Sequence, residues 1–310
     1  MPDLSGRTYL VTGSNAGLGY FASEQLAAAG AHVIMSGRNP NRIAAGKAAL
    51  RRRNPDASVE SLLLDTSNLG SVRAAAATVR SRGRLDGLLL NAGIVHPPAE
   101  RKTTSDNHEV VFATNVLGHF ALAGELLTVL ASTSRTYGEV ARMVWLGSMS
   151  TSMWRYDPVD PQLEKSYSPW RAYVQSKIAT TSIGLEADRR LRAAGVAVAS
   201  VVAHPGYSTS GRPRGITGVN EPTRGTRFAD NLQTPITQSK EHGAWAPVRA
   251  LIDPSVEGGQ YWGPRFIAKG APRLGKPAAI TTDPEVAERL WNAAADATGV
   301  VWPFSRAARA

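Results

Sequence analysis

Hydrophobic and polar positions fall into alternating blocks along this chain. Short, mostly apolar runs at residues 9–11, 31–36, 59–64, 85–90, 141–146 and 196–202 are separated by stretches of helical periodicity at 20–27, 42–53, 69–80, 106–130 and 170–194. A strand apolar on both faces is one that is covered on both faces, and the connections between blocks are short. Together these features predict a parallel sheet layered between helices. Past residue 206 the pattern loosens. Residues 207–240 are rich in glycine, proline and threonine and predict a long loop with short helical pieces. Helical character returns at 241–252 and 284–295, and 260–262 reads as a short seventh strand.

The first strand–helix junction is Thr12-Gly13-Ser14-Asn15-Ala16-Gly17-Leu18-Gly19. In that context Gly13 suits a tight turn, Gly17 a close backbone approach to phosphate, and Gly19 the packing of helix on strand. The N–H groups and positive dipole of the following helix attract a dinucleotide pyrophosphate. The fold class expected is therefore α/β: a doubly wound Rossmann fold of about seven parallel strands with helices on both faces. Residues 1–310 are expected to form a single domain, with loop insertions near 150–169 and 207–280.

Functional groups in such sheets gather beyond the carboxyl ends of the strands. Those ends carry the glycine turn, Arg38, Asp65, Asn91-Ala92-Gly93, Ser148 and Pro205-Gly206. In the helix after the fifth strand, Tyr173 and Lys177 are four residues apart and so share a face. A phenol of pKa about 10 is a poor base at neutral pH, and a neighbouring ammonium, together with the positive oxidised nicotinamide, is expected to lower that value. Tyr173 would then exchange a proton with a substrate oxygen that Ser148 holds by hydrogen bond.

On these residues, together with Asn115, the chain resembles the short-chain dehydrogenase/reductase family over nearly all its length to about residue 210. Leu117-Gly118-His119-Phe120, the 25-residue gap from Ser148 to Tyr173 and Ala203-His204-Pro205-Gly206-Tyr207-Ser208 are most similar to its retinol-dehydrogenase-like and protochlorophyllide-reductase-like branch. The resemblance implies catalysis by Ser148, Tyr173 and Lys177, with Asn115 supporting a water-linked proton relay through Lys177. It implies cofactor contacts from Gly13, Ser14, Asn15, Gly17, Leu18, Gly19, Asp65 (at the adenine edge) and Thr66. It adds Asn91, Ala92, Gly93, Tyr173, Lys177, Pro205, Gly206, Ser208 and Ser210. Three departures stand out: no membrane anchor precedes the first strand, no cysteine lies near Tyr173, and a Thr209-Ser210 pair replaces the usual threonine. An acid at the end of the second strand would favour NAD; Arg38 stands there with no acid beside it, which favours the 2′-phosphate of NADP(H).

Composition changes this picture little. The absence of cysteine excludes disulfides and thiolate chemistry. The net charge of +10 fits a solvated basic surface or attraction of anionic ligands; no basic run is interleaved with aromatics, so nucleic acid is not expected. No metal-ligand spacing occurs among the acids and histidines. No run approaching the roughly 18 apolar residues of a membrane span is expected, and the location expected is cytoplasmic. Trp154, Tyr156, Trp170, Tyr207, Trp262 and Phe266 suggest a pocket for an apolar or aromatic small molecule.

The leading expectation is thus an NADP-dependent oxidoreductase interconverting a secondary alcohol with a ketone or aldehyde. A C=C or C=N reductase and a non-catalytic dinucleotide sensor are the alternatives. Pairing into a homodimer or homotetramer through the helices carrying Asn115 and Tyr173 is the oligomeric expectation, unless the insertions block it.

Overall fold

Six strands alternate with helices: β1 (Thr8–Val11), α1 (Gly17–Ala28), β2 (His32–Gly37), α2 (Pro40–Arg53), β3 (Val59–Leu63), α3 (Leu69–Arg80), β4 (Gly87–Leu90), α4 (Val110–Phe112), α5 (Gly118–Tyr137), β5 (Ala141–Leu146), α6 (Pro169–Ala193) and β6 (Val198–Ala203). There follow β7 (Ser208–Thr209), α7 (Arg224–Leu232), β8 (Gln238–Ser239), α8 (Lys240–Gly243), α9 (Trp245–Ile252), β9 (Tyr261–Pro264), β10 (Pro272–Leu274), α10 (Pro284–Thr298) and α11 (Phe304–Ala307). The computed structural model describes every residue except Trp154, Arg155 and Ala310, and all side chains but theirs and those of Ser305 and Arg306.

The main sheet has the order β10-β9-β6-β5-β4-β1-β2-β3, and strands β7 and β8 form a separate parallel pair. Seven strands of the main sheet run parallel, as the apolar runs predict. The eighth, β10, is an unforeseen addition that runs antiparallel to β9. Its three residues begin with a proline and are largely exposed, so they carry no strand signal. Strand order reverses between β1 and β4, which opens a crevice above the carboxyl ends at the centre of the sheet.

Alternate strand residues face opposite layers. Leu88, Leu90, Met143 and Trp145 join the core beneath α3, α5 and α6; Leu89 and Val144 join the core with α1 and α9. Three helices start in the same way. Asn39, Ser168 and Asp283 cap the backbone N–H groups of Arg42, Arg171 and Glu285, and each cap is followed by a proline in the first turn.

The helix expected at 106–130 is shifted and interrupted. Asn107 is left-handed, with φ of 61°, and Thr103 bridges to Glu109, so the chain is still turning there. The Glu109 carboxylate then caps Val111 and Phe112, and helix begins at Val110. Residues Ala113–Leu117 form a π-helical turn, and α5 continues to Tyr137. Contrary to the sequence expectation, the stretch Val110–Tyr137 is long and apolar enough to cross a membrane, its 18-residue apolar window having a mean hydropathy of 1.5. That window is 89% buried within the fold, as in the core helix of a globular domain.

Candidate active site

The glycine turn joins β1 to α1 with the geometry its sequence implies. Gly13 and Gly17 have φ of 65° and 58°, conformations that favour glycine. A Cβ on Gly19 would lie 2.5 Å from the Gly13 carbonyl oxygen, so only glycine lets α1 start this close to β1. Ala16 provides no side-chain cap and the first turn of α1 has no acid. The helix therefore presents uncapped N–H groups and a positive dipole end, a cradle suited to pyrophosphate.

Thr12 holds this turn against the end of β4. Its Oγ1 accepts the N–H groups of Asn91 at 2.8 Å and Ala92 at 2.9 Å, while Asn91 Nδ2 donates to the Thr12 carbonyl at 2.8 Å. Thr12 Oγ1 also lies 3.0 Å from His119 Nε2, and His119 Nδ1 lies 3.2 Å from the Asn115 carbonyl. Burial, reinforced by the Lys177 charge, pushes the His119 pKa down to about 3, so the ring is neutral. A carbonyl can only accept; hence Nδ1 carries the proton and Nε2 accepts from Thr12.

Asn115 sits in the π-helical turn, where the wider spacing turns its side chain toward the loop after β4. Its Oδ1 accepts from Ile94 N at 2.8 Å, and its Nδ2 donates to Ile94 O and Ser176 Oγ. Its carbonyl accepts from Thr180 as well as His119. The side chain is thus a brace between α6 and the Gly93–Ile94 loop.

Ser148, at the end of β5, and Tyr173, in the first turns of α6, meet: Tyr173 Oη donates to Ser148 Oγ at 3.3 Å. Ser148 Oγ also accepts from Ser150 Oγ at 2.9 Å and Ser150 N at 3.2 Å, leaving its own proton free to donate outward. Lys177 Nζ donates to the Leu146 carbonyl at 2.7 Å and is buried, which pushes its pKa down to about 8. Burial raises the Tyr173 pKa, and only the Ser148 hydrogen bond opposes it.

This geometry has known counterparts. Residues 7–158 match the short chain dehydrogenase family. The chain is 32% identical to a mouse (Mus musculus) polyprenol dehydrogenase, over 97% of this chain and 89% of that protein. It is 31% identical to human (Homo sapiens) retinol dehydrogenase 13, over 98% and 88%. It belongs to the short-chain dehydrogenase/reductase family, in the retinol-dehydrogenase-like branch. A crystal structure of an uncharacterized protein from Mycobacterium paratuberculosis, 32% identical, superposes with a TM-score of 0.78 and covers 98% of this chain and 97% of its own. The dehydrogenase/reductase is accordingly an oxidoreductase of a family that binds a nicotinamide dinucleotide and small-molecule substrates.

The remaining expected residues divide by what they touch. Arg38 is exposed at the end of β2, with no hydrogen-bond or ion-pair partner among the described residues. Ser14 is fully buried and its hydroxyl donates to Ser36 O, so it braces the turn against β2. Asp65 accepts from both the N–H and the hydroxyl of Ser67. The Thr66 carbonyl lies where a Cβ on Gly118 would come within 1.9 Å, which explains a glycine at the start of α5. Gly206, with φ of 64°, passes under the Ala268 carbonyl. Ser208 donates to Pro205 O at 2.7 Å. Of the aromatic set, Trp154 lies outside the described residues, and Trp262 is buried in the core beside α9 rather than in a pocket. Trp170, Tyr207 and Phe266 are exposed. The bracing role of His119 has one sequence signal, a histidine in the apolar first turn of α5.

Proposed function

We propose that the chain is an NADP-dependent alcohol dehydrogenase/carbonyl reductase, interconverting an alcohol with a ketone or aldehyde. The observation that carries this reading is the Tyr173–Ser148 hydrogen bond, held at the strand ends beside buried Lys177. A substrate oxygen placed between the two hydroxyls would take the Tyr173 proton during reduction and return it during oxidation. The Ser148 proton, which no hydrogen bond among the described residues uses, would stabilise negative charge developing on that oxygen. Bound nicotinamide supplies or accepts the hydride. Lys177 and Asn115 would carry the ribose contact and relay support the family resemblance implies. The unpaired Arg38 guanidinium, with no acid at the end of β2, supports NADP over NAD.

The two relatives are named for polyprenol and retinol, and an apolar alcohol or carbonyl compound fits the exposed aromatics here. Trp170 lies beside Tyr173, with ring centroids 6.1 Å apart, and is half exposed. Tyr173→Phe tests the chemistry: kcat should fall about 10²–10⁴-fold while NADPH binding is kept. Turnover within tenfold of the parent would overturn the assignment. Arg38→Gln should raise KM for NADPH and leave KM for NADH nearly unchanged, as read from initial rates with each cofactor.

A further inference from the structure

The loop predicted at 207–240 is structured, and it returns to the glycine turn. β7 follows directly on Pro205-Gly206 and pairs with β8, while Gln238 Nε2 donates to Pro205 O at 2.8 Å. The next residues, α8, pack on α1. Gln25 Nε2 donates to Glu241 O at 3.0 Å, and a Cβ on Gly243 would lie 2.8 Å from Leu18 Cδ2. Ser239 caps α8 through His242 N. Lys240, between two such anchored points, lays its side chain across Gly17: Nζ would be 3.6 Å, and Cδ 3.7 Å, from a Cβ placed there.

That position is electrostatically unfavourable as it stands. The ammonium is mostly buried, and burial lowers its pKa. Among the described residues only the Asp230 carboxylate acts to raise it, and Asp230 already accepts the Gly211 N–H at 2.6 Å. Facing the ammonium is the start of α1, which carries a positive dipole end and no acid in its first turn. Two positive ends are thus turned toward one gap, and among the described residues no carboxylate forms an ion pair with the ammonium. A group with two or more negative oxygens removes the conflict.

We infer that Lys240 is a pyrophosphate-binding residue, closing the 208–243 segment over the dinucleotide opposite the glycine turn. The assignment rests on the dinucleotide-binding reading above and adds a cation from outside the glycine motif. It separates two phosphate sites: Arg38 serves the 2′-phosphate at the end of β2, and Lys240 the pyrophosphate at the start of α1.

Binding of NADP and of 2′-AMP, which has the 2′-phosphate but no pyrophosphate, tests it by calorimetry on the full chain. Lys240→Met should weaken NADP about tenfold or more, the scale of one charge-assisted hydrogen bond. It should leave 2′-AMP within twofold, and it should flatten the dependence of NADP affinity on salt. Lys240→Arg should retain most NADP affinity. Unchanged NADP affinity in Lys240→Met, or equal weakening of both ligands, overturns the assignment while leaving the dinucleotide reading intact. If the parent chain binds neither ligand, the dinucleotide reading falls and Lys240 with it.

Discussion

Thr12 shows how much one hydroxyl can organise. It accepts two backbone N–H groups from the turn after β4 and donates its own proton to a neutral histidine. Valine has the same shape and none of that capacity. Thr12→Val is expected to cost about 1–3 kcal/mol in urea unfolding, because the part-buried Ala92 N–H loses its acceptor and the Asn91 N–H is left with the Leu89 carbonyl alone; Thr12→Ser should recover most of it. Lys177 gives a second residue-level expectation. Its folded pKa of about 8 lies below the ordinary 10.5, so between those values the unfolded chain binds more protons. Stability from this group therefore rises with pH across that window, and below pH 8 the buried ammonium is a constant penalty. Lys177→Met removes the effect: its stability advantage over the parent, measured by urea unfolding, should shrink as pH rises from 8 toward 10.5, with turnover lost throughout.

Among the elements, the helix from Val110 to Tyr137 carries the site's least obvious feature. The π-helical turn at Ala113–Leu117 lets Asn115 reach Ile94 and Ser176 at once, while Gly118 lets the helix pass under the Thr66 carbonyl. Gly118→Ala cannot be accommodated without displacing Thr66 or the helix. It is expected to destabilise by about 1–3 kcal/mol or more and to weaken dinucleotide binding, read by thermal unfolding with and without NADP. The limits of the sequence show in this helix. The strands and the glycine turn were readable because local pattern determines them: a run of apolar residues, a proline after a cap, a glycine at positive φ. Ser148 and Tyr173 were readable through their motif, and they do meet. The π turn leaves no periodic signature, since one extra residue per turn shifts partners without changing composition. The Thr12–His119–Asn115 chain joins positions about a hundred residues apart, and nothing local announces it. Strand β10 escaped for a simpler reason: its strand identity comes from pairing with β9, not from its own three residues.

For the molecule as a whole, two buried imidazoles set its behaviour in acid. His119 and His204 are held down to about 3 and about 4 by burial, whereas unfolded histidine titrates near 6.5. From pH 6.5 down to about 4 the unfolded chain takes up protons that the folded one refuses, so stability falls as pH falls, by at most about 1.4 kcal/mol per pH unit for each ring. Urea midpoints at pH 7 and pH 5 measure this, and His119→Asn should reduce the slope. Self-association is the other global question. The helix pair expected to mediate it is already covered by the chain's own C-terminal segment. Trp302 fits a notch at Gly124 of α5, where a Cβ would lie 2.6 Å from the indole, and Trp291 packs on Phe120 at 5.0 Å. Arg190 of α6 stacks over Trp291, and Arg135 of α5 donates to the Ala307 carbonyl. Light scattering is expected to give the mass of one chain, and a dimer built on α5 and α6 would contradict this.

The same tryptophan notch bears on how the protein is made. Until residues 284–307 have emerged from the ribosome, the outer face of the helix that holds Asn115 stays wet. The catalytic end of the molecule can assemble early, but its largest apolar helix is sealed only by the segment synthesised after everything else in the fold. A chain interrupted before that point would carry a correctly patterned site on an unsealed surface, open to any other apolar face that reached it first.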